Sequence, residues 1–239
     1  MHRLVYETER TAVAERLLKL FFVERQHYGA DYGNGLTTVK QPITRQVILK
    51  HLQGHLELAA HAIESQRSLS LWSCWDLDRG GALTLYHKLT RKFPKSSLVL
   101  EETGGSGYHV WLMYRVPTPS EIAYGISRLY AAGVTDEYYP AERWIQPGGY
   151  GRMCRIPLGY RRSTGRWSRL IHPKSILNVE PCLPGRHIDL NVFREPVPWS
   201  IHQARCPYKI PDRTGTLNCL YRDGSVGLCA EGLCPRWRR

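Results

Sequence analysis

The stretch LWSCWDLDRGG, Leu71 to Gly81, places Asp76 and Asp78 two residues apart at the end of an apolar run. On an extended strand such residues share a face and stand about 7 Å apart at the backbone. Two carboxylates so placed suit a pair of Mg²⁺ or Mn²⁺ ions, because hard oxygen donors select hard cations, and such a pair can clamp a triphosphate during in-line transfer. The spacing alone is a weak signal: an Asp after a strand is more often a turn former or a helix cap, and DRGG has the composition of a turn.

Two further groups carry chemistry. In EETGGSGYHVWLMY, Glu101 to Tyr114, the residues Gly104, Gly105 and Gly107 let backbone N–H groups approach a phosphate. Ser106 adds a hydroxyl there, and His109 opens a strand with a ring able to donate to a phosphate oxygen. In DEYYPAERWIQPGGYGRMCRIPLGYRRSTGRWS, Asp136 to Ser168, an acidic pair precedes a proline and arginines follow. Alternation sets Asp136 and Glu137 on opposite faces, so one of them completes a metal site. Arg155, Arg161 and Arg162 can neutralise phosphates. Tyr138, Tyr139, Trp144, Tyr160 and Trp167 interleave with them, a pattern suited to stacking on bases and equally to core packing. His51 and His55 lack a third ligand and read as surface histidines.

The elements that must hold these residues follow from periodicity. Val13, Leu17, Leu20 and Phe21 predict an amphipathic helix over Thr11–Phe22, and the glycines from Gly29 to Gly35 a loop. A helix is expected from Thr44 to Gln53, stopped by Gly54, then a strand with Leu56, Leu58 and Ala60. The strand bearing the aspartates sets Leu69, Leu71, Trp75 and Leu77 on one face and Trp72, Cys74, Asp76 and Asp78 on the other. Strands are expected at Ser97–Leu100 and Tyr108–Val116. TPSE then reads as a capping box, Thr118 with Glu121 around Pro119 at the first helical position, opening a helix that stops at Gly133. RMCRIPLGY and HIDLNVF read as short strands, and the chain from Glu195 as an appendage.

Composition bounds the partners. The chain of 239 residues can bury a sizeable core, and its net charge of +12, from 33 Lys and Arg against 21 acids, points to a polyanion. MHRLVYETERTAVAERLL lacks the apolar core of a signal peptide, and no run is long enough to span a membrane, so a reducing cytoplasm is expected and no membrane partner. Cys206, Cys219, Cys229 and Cys234 crowd the end of the chain at irregular spacing without a CxxC knuckle. They are candidate Zn²⁺ ligands, with His202 to spare, and otherwise reduced thiols of a basic tail.

Asp-x-Asp at a strand end, then Ser-Gly-x-His-x-Trp, Glu-x-Tyr-Pro and Arg-x-Pro-Leu-Gly, in that order from about Thr44 to Ile171, resembles the archaeo-eukaryotic primase superfamily. The likeness is greatest to the primase and primase-polymerase domains of phages, plasmids and TOTE conflict systems. The resemblance implies an α/β (α+β) fold, with an RRM-like palm sheet, an N-terminal α/β unit and a small Cys-bearing C-terminal tail. It implies a catalytic domain over 1–195 and a tail over 196–239. Asp76, Asp78 and Glu137 would hold Mg²⁺ or Mn²⁺; Ser106, Gly107 and His109 would meet the triphosphate of the incoming nucleotide; Arg155 would contact a phosphate or the template. Relatives often place a histidine where Arg161 stands, a departure that keeps positive charge. The implied activity is primer synthesis on a single-stranded DNA template from nucleoside triphosphates, beside a separate helicase or replication protein. A metal-dependent nuclease using the same carboxylates and a non-catalytic nucleic-acid-binding module are the rival readings.

Overall fold

The computed structural model describes residues 2–146 and 149–188, with side chains from residue 8 onward, and the backbone of three short strands beyond them. In chain order the elements are α1 (His2–Phe21), β1 (Tyr28–Asp31), β2 (Leu36–Val39), α2 (Arg45–Leu52), β3 (Glu57–His61), β4 (Leu69–Leu77), α3 (Arg79–Thr90), β5 (Leu98–Glu102), β6 (Tyr108–Pro119), α4 (Ser120–Ala131), β7 (Tyr138–Tyr139), β8 (Met153–Arg155), β9 (Tyr160–Arg161), β10 (Arg166–Trp167) and β11 (Arg169–His172), then β12 (Lys209–Pro211), β13 (Leu217–Leu220) and β14 (Val226–Leu228). This is the expected α+β class.

Two antiparallel sheets position the site: a four-stranded sheet in the order β2-β1-β3-β8 and a five-stranded sheet in the order β11-β5-β6-β4-β7. Strand alternation divides the core. Trp72, Cys74, Trp111 and Met113 face α1, α2 and the four-stranded sheet, while Trp75, Leu77, Val110 and Leu112 face α3 and α4. Both faces of the five-stranded sheet are thus covered, which is why β6 is apolar at nearly every position. Each of the three fully buried tryptophans among these has an acceptor for its indole N–H: Phe21 O for Trp72, Ser127 O for Trp75 and Glu101 Oε2 for Trp111.

Thr44 is the N-cap of α2 rather than its first residue, its hydroxyl accepting from Val47 N, and Gly54 at φ +78° ends that turn of chain as expected. Several expectations are corrected. The Gly29–Gly35 segment is a hairpin of β1 and β2 rather than a loop; Asp31 Oδ1 accepts from Gly33 N and Gly35 N, both glycines at positive φ. A register shift between Ser70 and Trp72 brings Leu71 to the core cluster of Trp72 rather than that of Trp75. DRGG opens α3, whose buried Ala82, Leu85, Tyr86 and Leu89 follow a helical spacing that the two glycines before them disguise.

Thr118 is no cap: it lies in β6 and donates to Val116 O, and α4 starts at Ser120 after Pro119, without a side-chain cap. Of the strand expected at HIDLNVF, His187 and Ile188 are instead a turn that follows the short 3₁₀ helix Pro184–Arg186, and the remaining residues lie outside the described ones. So does the boundary between 195 and 196. The strands β12, β13 and β14 form a small antiparallel sheet of their own. Cys206, Cys219, Cys229 and Cys234 lie outside the residues whose side chains are described. Among the described residues no helix is long and apolar enough to cross a membrane.

Candidate active site between the two sheets

Register builds the site. Asp76 stands opposite His109 in β6, and His109 opposite Glu101 in β5. On the other side of β4, Cys74 pairs with Tyr139, and the next step of that ladder is the bond from Asp76 N to Glu137 O at 3.0 Å. Thr135 pins the corner, its hydroxyl donating to Asp76 O and accepting from Glu137 N. Directly opposed residues share a face, so Glu137, Asp76, His109 and Glu101 form one row on the side of the sheet that meets β8. Access falls along it: Glu137 is exposed, and the side chains of Asp76, His109 and Glu101 are 36%, 7% and 2% exposed.

The interior of the row is tightly coupled. His109 Nδ1 lies 3.3 Å from Glu101 Oε2 and Nε2 lies 3.6 Å from Asp76 Oδ2. Cys154 Sγ in β8 is 3.8 Å from the same Nε2 and 3.7 Å from Cys74 Sγ. Burial opposes a charge on His109, but Cys154, Asp76 and Glu101 outweigh it and raise its pKa well above the ordinary value. Burial likewise works against the Asp76 carboxylate, but His109 and Arg161 prevail and hold it below its ordinary value. Burial pushes the Cys74 thiol well up, helped by Cys154; the Cys154 thiol, also buried, is drawn down by Cys74 and His109.

The glycine loop between β5 and β6 closes on itself through bonds from Thr103 N and Oγ1 to Gly107 O. Its glycines make room for the protein's own groups. A Cβ on Gly104 would meet backbone atoms of residues 166–168 at 3.0–3.2 Å, one on Gly105 the Arg161 guanidinium at 3.0 Å, and one on Gly107 the Asp76 carboxylate at 3.0 Å. Arg161 therefore lies against this loop, and Ser106 stands exposed at its tip.

Arg161 is aimed by the Pro-Leu-Gly turn, and His51 builds that turn. His51 is fully buried, not a surface histidine as its sequence context suggests. Its Nδ1 accepts from Leu58 N, so its Nε2 carries the proton donated to Pro157 O at 2.9 Å. A Cβ on Gly159 would strike the ring at 2.4 Å, which is why the motif ends in glycine. Ser168 Oγ accepts from Leu158 N and Gly159 N and closes the turn.

The remaining expected residues are spread around this centre. Asp78 follows β4 and caps α3, accepting from Gly81 N at 2.6 Å. Glu137 Oε1 accepts from the Tyr139 hydroxyl. Arg155, expected at a phosphate, pairs with Glu57 at 2.9 Å and Asp31 at 3.6 Å across the four-stranded sheet. The carboxylates of Asp76, Asp78 and Glu137 do not converge on a single point; among the described residues, the group of three ligand atoms within 4.8 Å of one another is Cys74, His109 and Cys154. Sequence reasoning gave no role to Glu101, Cys74, Cys154 or His51. Cys74 shares the Asp76 face by alternation, and Cys154 precedes Arg155 in its motif, so part of the signal was present.

A family model described as the archaeo-eukaryotic primase domain of TOTE conflict systems matches residues 36–180. No curated protein matches the chain in sequence. Among solved structures, the AEP domain of the cyanophage S-2L primase-polymerase superposes with a TM-score of 0.50 at 14% identity, covering 77% of this chain and 98% of that one, and shares its fold. The catalytic domain of primase RepB′ in complex with initiator DNA gives 0.42 at 16% identity, with 71% of this chain and 89% of that one covered. The polymerase domain of Mycobacterium tuberculosis ligase D in complex with DNA gives 0.41 at 12%, with 67% and 78% covered.

Proposed function

The chain belongs to the archaeo-eukaryotic primase domain family of TOTE conflict systems, whose model spans residues 36–180, and from that premise we propose that it is a template-directed nucleotidyltransferase that makes primers on single-stranded DNA. The observation that carries the reading is the row Glu137, Asp76, His109, graded from solvent to core at the end of β4, with Arg161 laid against the glycine loop beside it.

Asp76, Asp78 and Glu137 would hold Mg²⁺ or Mn²⁺. The donor chemistry fits: all three are carboxylates, Glu137 and Asp76 at the accessible end of the row and Asp78 exposed at the start of α3 just after β4, and none is sealed in the core. When bound, such ions lower the pKa of a 3′-hydroxyl and stabilise charge on the attacked α-phosphate and the leaving pyrophosphate. The chain's own residues do the rest. Arg161 neutralises phosphate charge, and Ser106 offers an exposed hydroxyl to a phosphate oxygen. Burial opposes a charge on His109, but Cys154, Asp76 and Glu101 raise its pKa, which favours a ring able to donate an N–H beside Asp76. The 3′-oxygen bonds to the α-phosphorus as the bond to pyrophosphate breaks, and the hydroxyl proton passes to solvent.

Residues 1–195 carry this activity and 196–239 form an attached basic tail, in a cytoplasmic protein whose template is opened by a separate helicase or replication protein. The test is a primer-synthesis assay on single-stranded DNA with labelled nucleoside triphosphates and Mn²⁺ or Mg²⁺, comparing wild type with Asp76→Asn. Labelled oligonucleotides from the wild type alone are expected. No product overturns the reading, and template degraded by the wild type alone replaces it with the nuclease.

A further inference from the structure

We infer that Cys74, Cys154 and His109 form a binding site for a thiophilic divalent cation of the Zn²⁺ class, directly behind the partly exposed Asp76. It is separate in chemistry from a carboxylate Mg²⁺ site, because two thiols and an imidazole are soft and borderline donors that select against hard ions.

Distances support it first. An ion with bonds of about 2.3 Å to sulfur and about 2.0–2.1 Å to nitrogen holds tetrahedral S and S ligands about 3.8 Å apart, and S and N ligands about 3.6 Å apart. The protein sets Cys74 Sγ and Cys154 Sγ 3.7 Å apart and Cys154 Sγ and His109 Nε2 3.8 Å apart. These three residues come from β4, β8 and β6, in two different sheets, so core packing rather than a flexible loop holds them at that spacing.

The surroundings support it independently. A metal-binding histidine usually turns one ring nitrogen to the ion and gives the other N–H to a carboxylate, which fixes its tautomer. His109 has this arrangement: Nε2 faces Cys154, and Nδ1 faces Glu101, which is held in turn by the Trp111 indole. A core that merely tolerated two thiols would not need a buried carboxylate behind the ring. The three ligands are buried, and the link to solvent runs through Asp76, which is 36% exposed and whose Oδ2 lies 3.6 Å from Nε2. Asp76 or a water takes the fourth position, and the two thiol protons and the Nε2 proton of His109 leave to solvent as the ion binds, while Nδ1–H stays on Glu101.

Occupancy does not depend on the polymerase reading, but its consequence rests on it: an ion drawing on His109 Nε2 removes that nitrogen from the triphosphate, so the site would switch primer synthesis off when thiophilic metal is abundant.

Co²⁺ is the probe, because thiolate ligation gives it a near-ultraviolet charge-transfer band and intense visible bands when four-coordinate. The full chain with Cys206, Cys219, Cys229 and Cys234 all replaced by Ser is titrated in the presence of a non-chelating reductant. One Co²⁺ per chain with both signatures is expected, displaced by Zn²⁺ but not by excess Mg²⁺, with the thiolate band lost in Cys154→Ser. Zn²⁺ should also raise the Tm of the four-serine chain, a readout needing no change in the core. If that chain does not fold by circular dichroism, the band lost between the full chain and its Cys154→Ser variant reads the same site. Absence of the thiolate band, its persistence in Cys154→Ser, or a Cys74–Cys154 disulfide surviving the reductant overturns the site. Absence of primers with the band intact instead sinks the polymerase reading alone.

Discussion

Asp78 has two roles that substitutions can separate. Its carboxylate caps α3 through Gly81 N and is proposed to hold a catalytic cation. Asparagine caps as well as aspartate, whereas alanine loses about 1 kcal/mol, worth roughly 2–4 °C in a chain of this size. Asp78→Asn should therefore keep the wild-type Tm while primer synthesis falls at least about a hundredfold, since ligand loss removes several kcal/mol of charge stabilisation. Asp78→Ala should lose both. Full turnover in Asp78→Asn, read in the primer assay beside a thermal melt, would leave Asp78 as a cap only. At this scale sequence reading goes far: Asp76, Glu137, His109 and Arg161 were named from spacing and resemblance, and the structure gathers them at one end of β4. What it missed needed register. Glu101 joins the row only because it stands opposite His109, and Cys154 meets Cys74, 80 residues away, only because β8 brings it there.

The segment from Pro157 to Arg161 shows how an element is aimed from a distance. His51, on α2, satisfies Pro157 O and Leu58 N together. His51→Ala leaves a buried acceptor and a buried donor unsatisfied, at about 1–3 kcal/mol each, and should lower the Tm and weaken primer synthesis as Arg161 loses its seat. The pH dependence identifies the cause. Burial holds the folded pKa of His51 below its ordinary value, outweighing Pro157 O and Glu101. The unfolded chain takes up that proton near 6.5, so the unfolded state binds more protons between the two values. The contribution of a neutral His51 is then complete above about pH 6.5 and is lost as pH falls through that value toward the folded one. The Tm difference between wild type and His51→Ala should be greatest at and above pH 7 and shrink toward pH 5; a difference constant with pH would mean that the ring is not held neutral. Pattern reading recovered α2 and its stop at Gly54 but put His51 on the surface, because a helix end beside a glycine gives no local sign that the Pro-Leu-Gly turn packs over it.

For the whole molecule, basic charge and sheet packing set different properties. The excess of 33 Lys and Arg over 21 acids was legible from composition, the individual helices and strands from their periods, and the α+β class from the resemblance. The pairing of β3 with β8, which brings the two sheets together around the site, was not, because strand partners far apart in sequence are chosen by core packing rather than local pattern. That pairing also decides which arginines can meet nucleic acid. Binding of a single strand should weaken linearly in log–log terms as salt rises, by about 0.7 per neutralised phosphate. Arg161 lies against the glycine loop and Arg155 is engaged by Glu57 and Asp31, so the two should part company. If Arg161 meets the template, Arg161→Ala lowers the slope by about 0.7; if it meets only the triphosphate, the slope holds and KM for nucleotide rises instead. Arg155→Ala should leave both near wild type and lower the Tm, because a buried carboxylate stripped of its partner costs up to about 3–5 kcal/mol. A salt slope that drops for Arg155→Ala and not for Arg161→Ala would reverse the assignment and move the template track from the glycine loop to the four-stranded sheet.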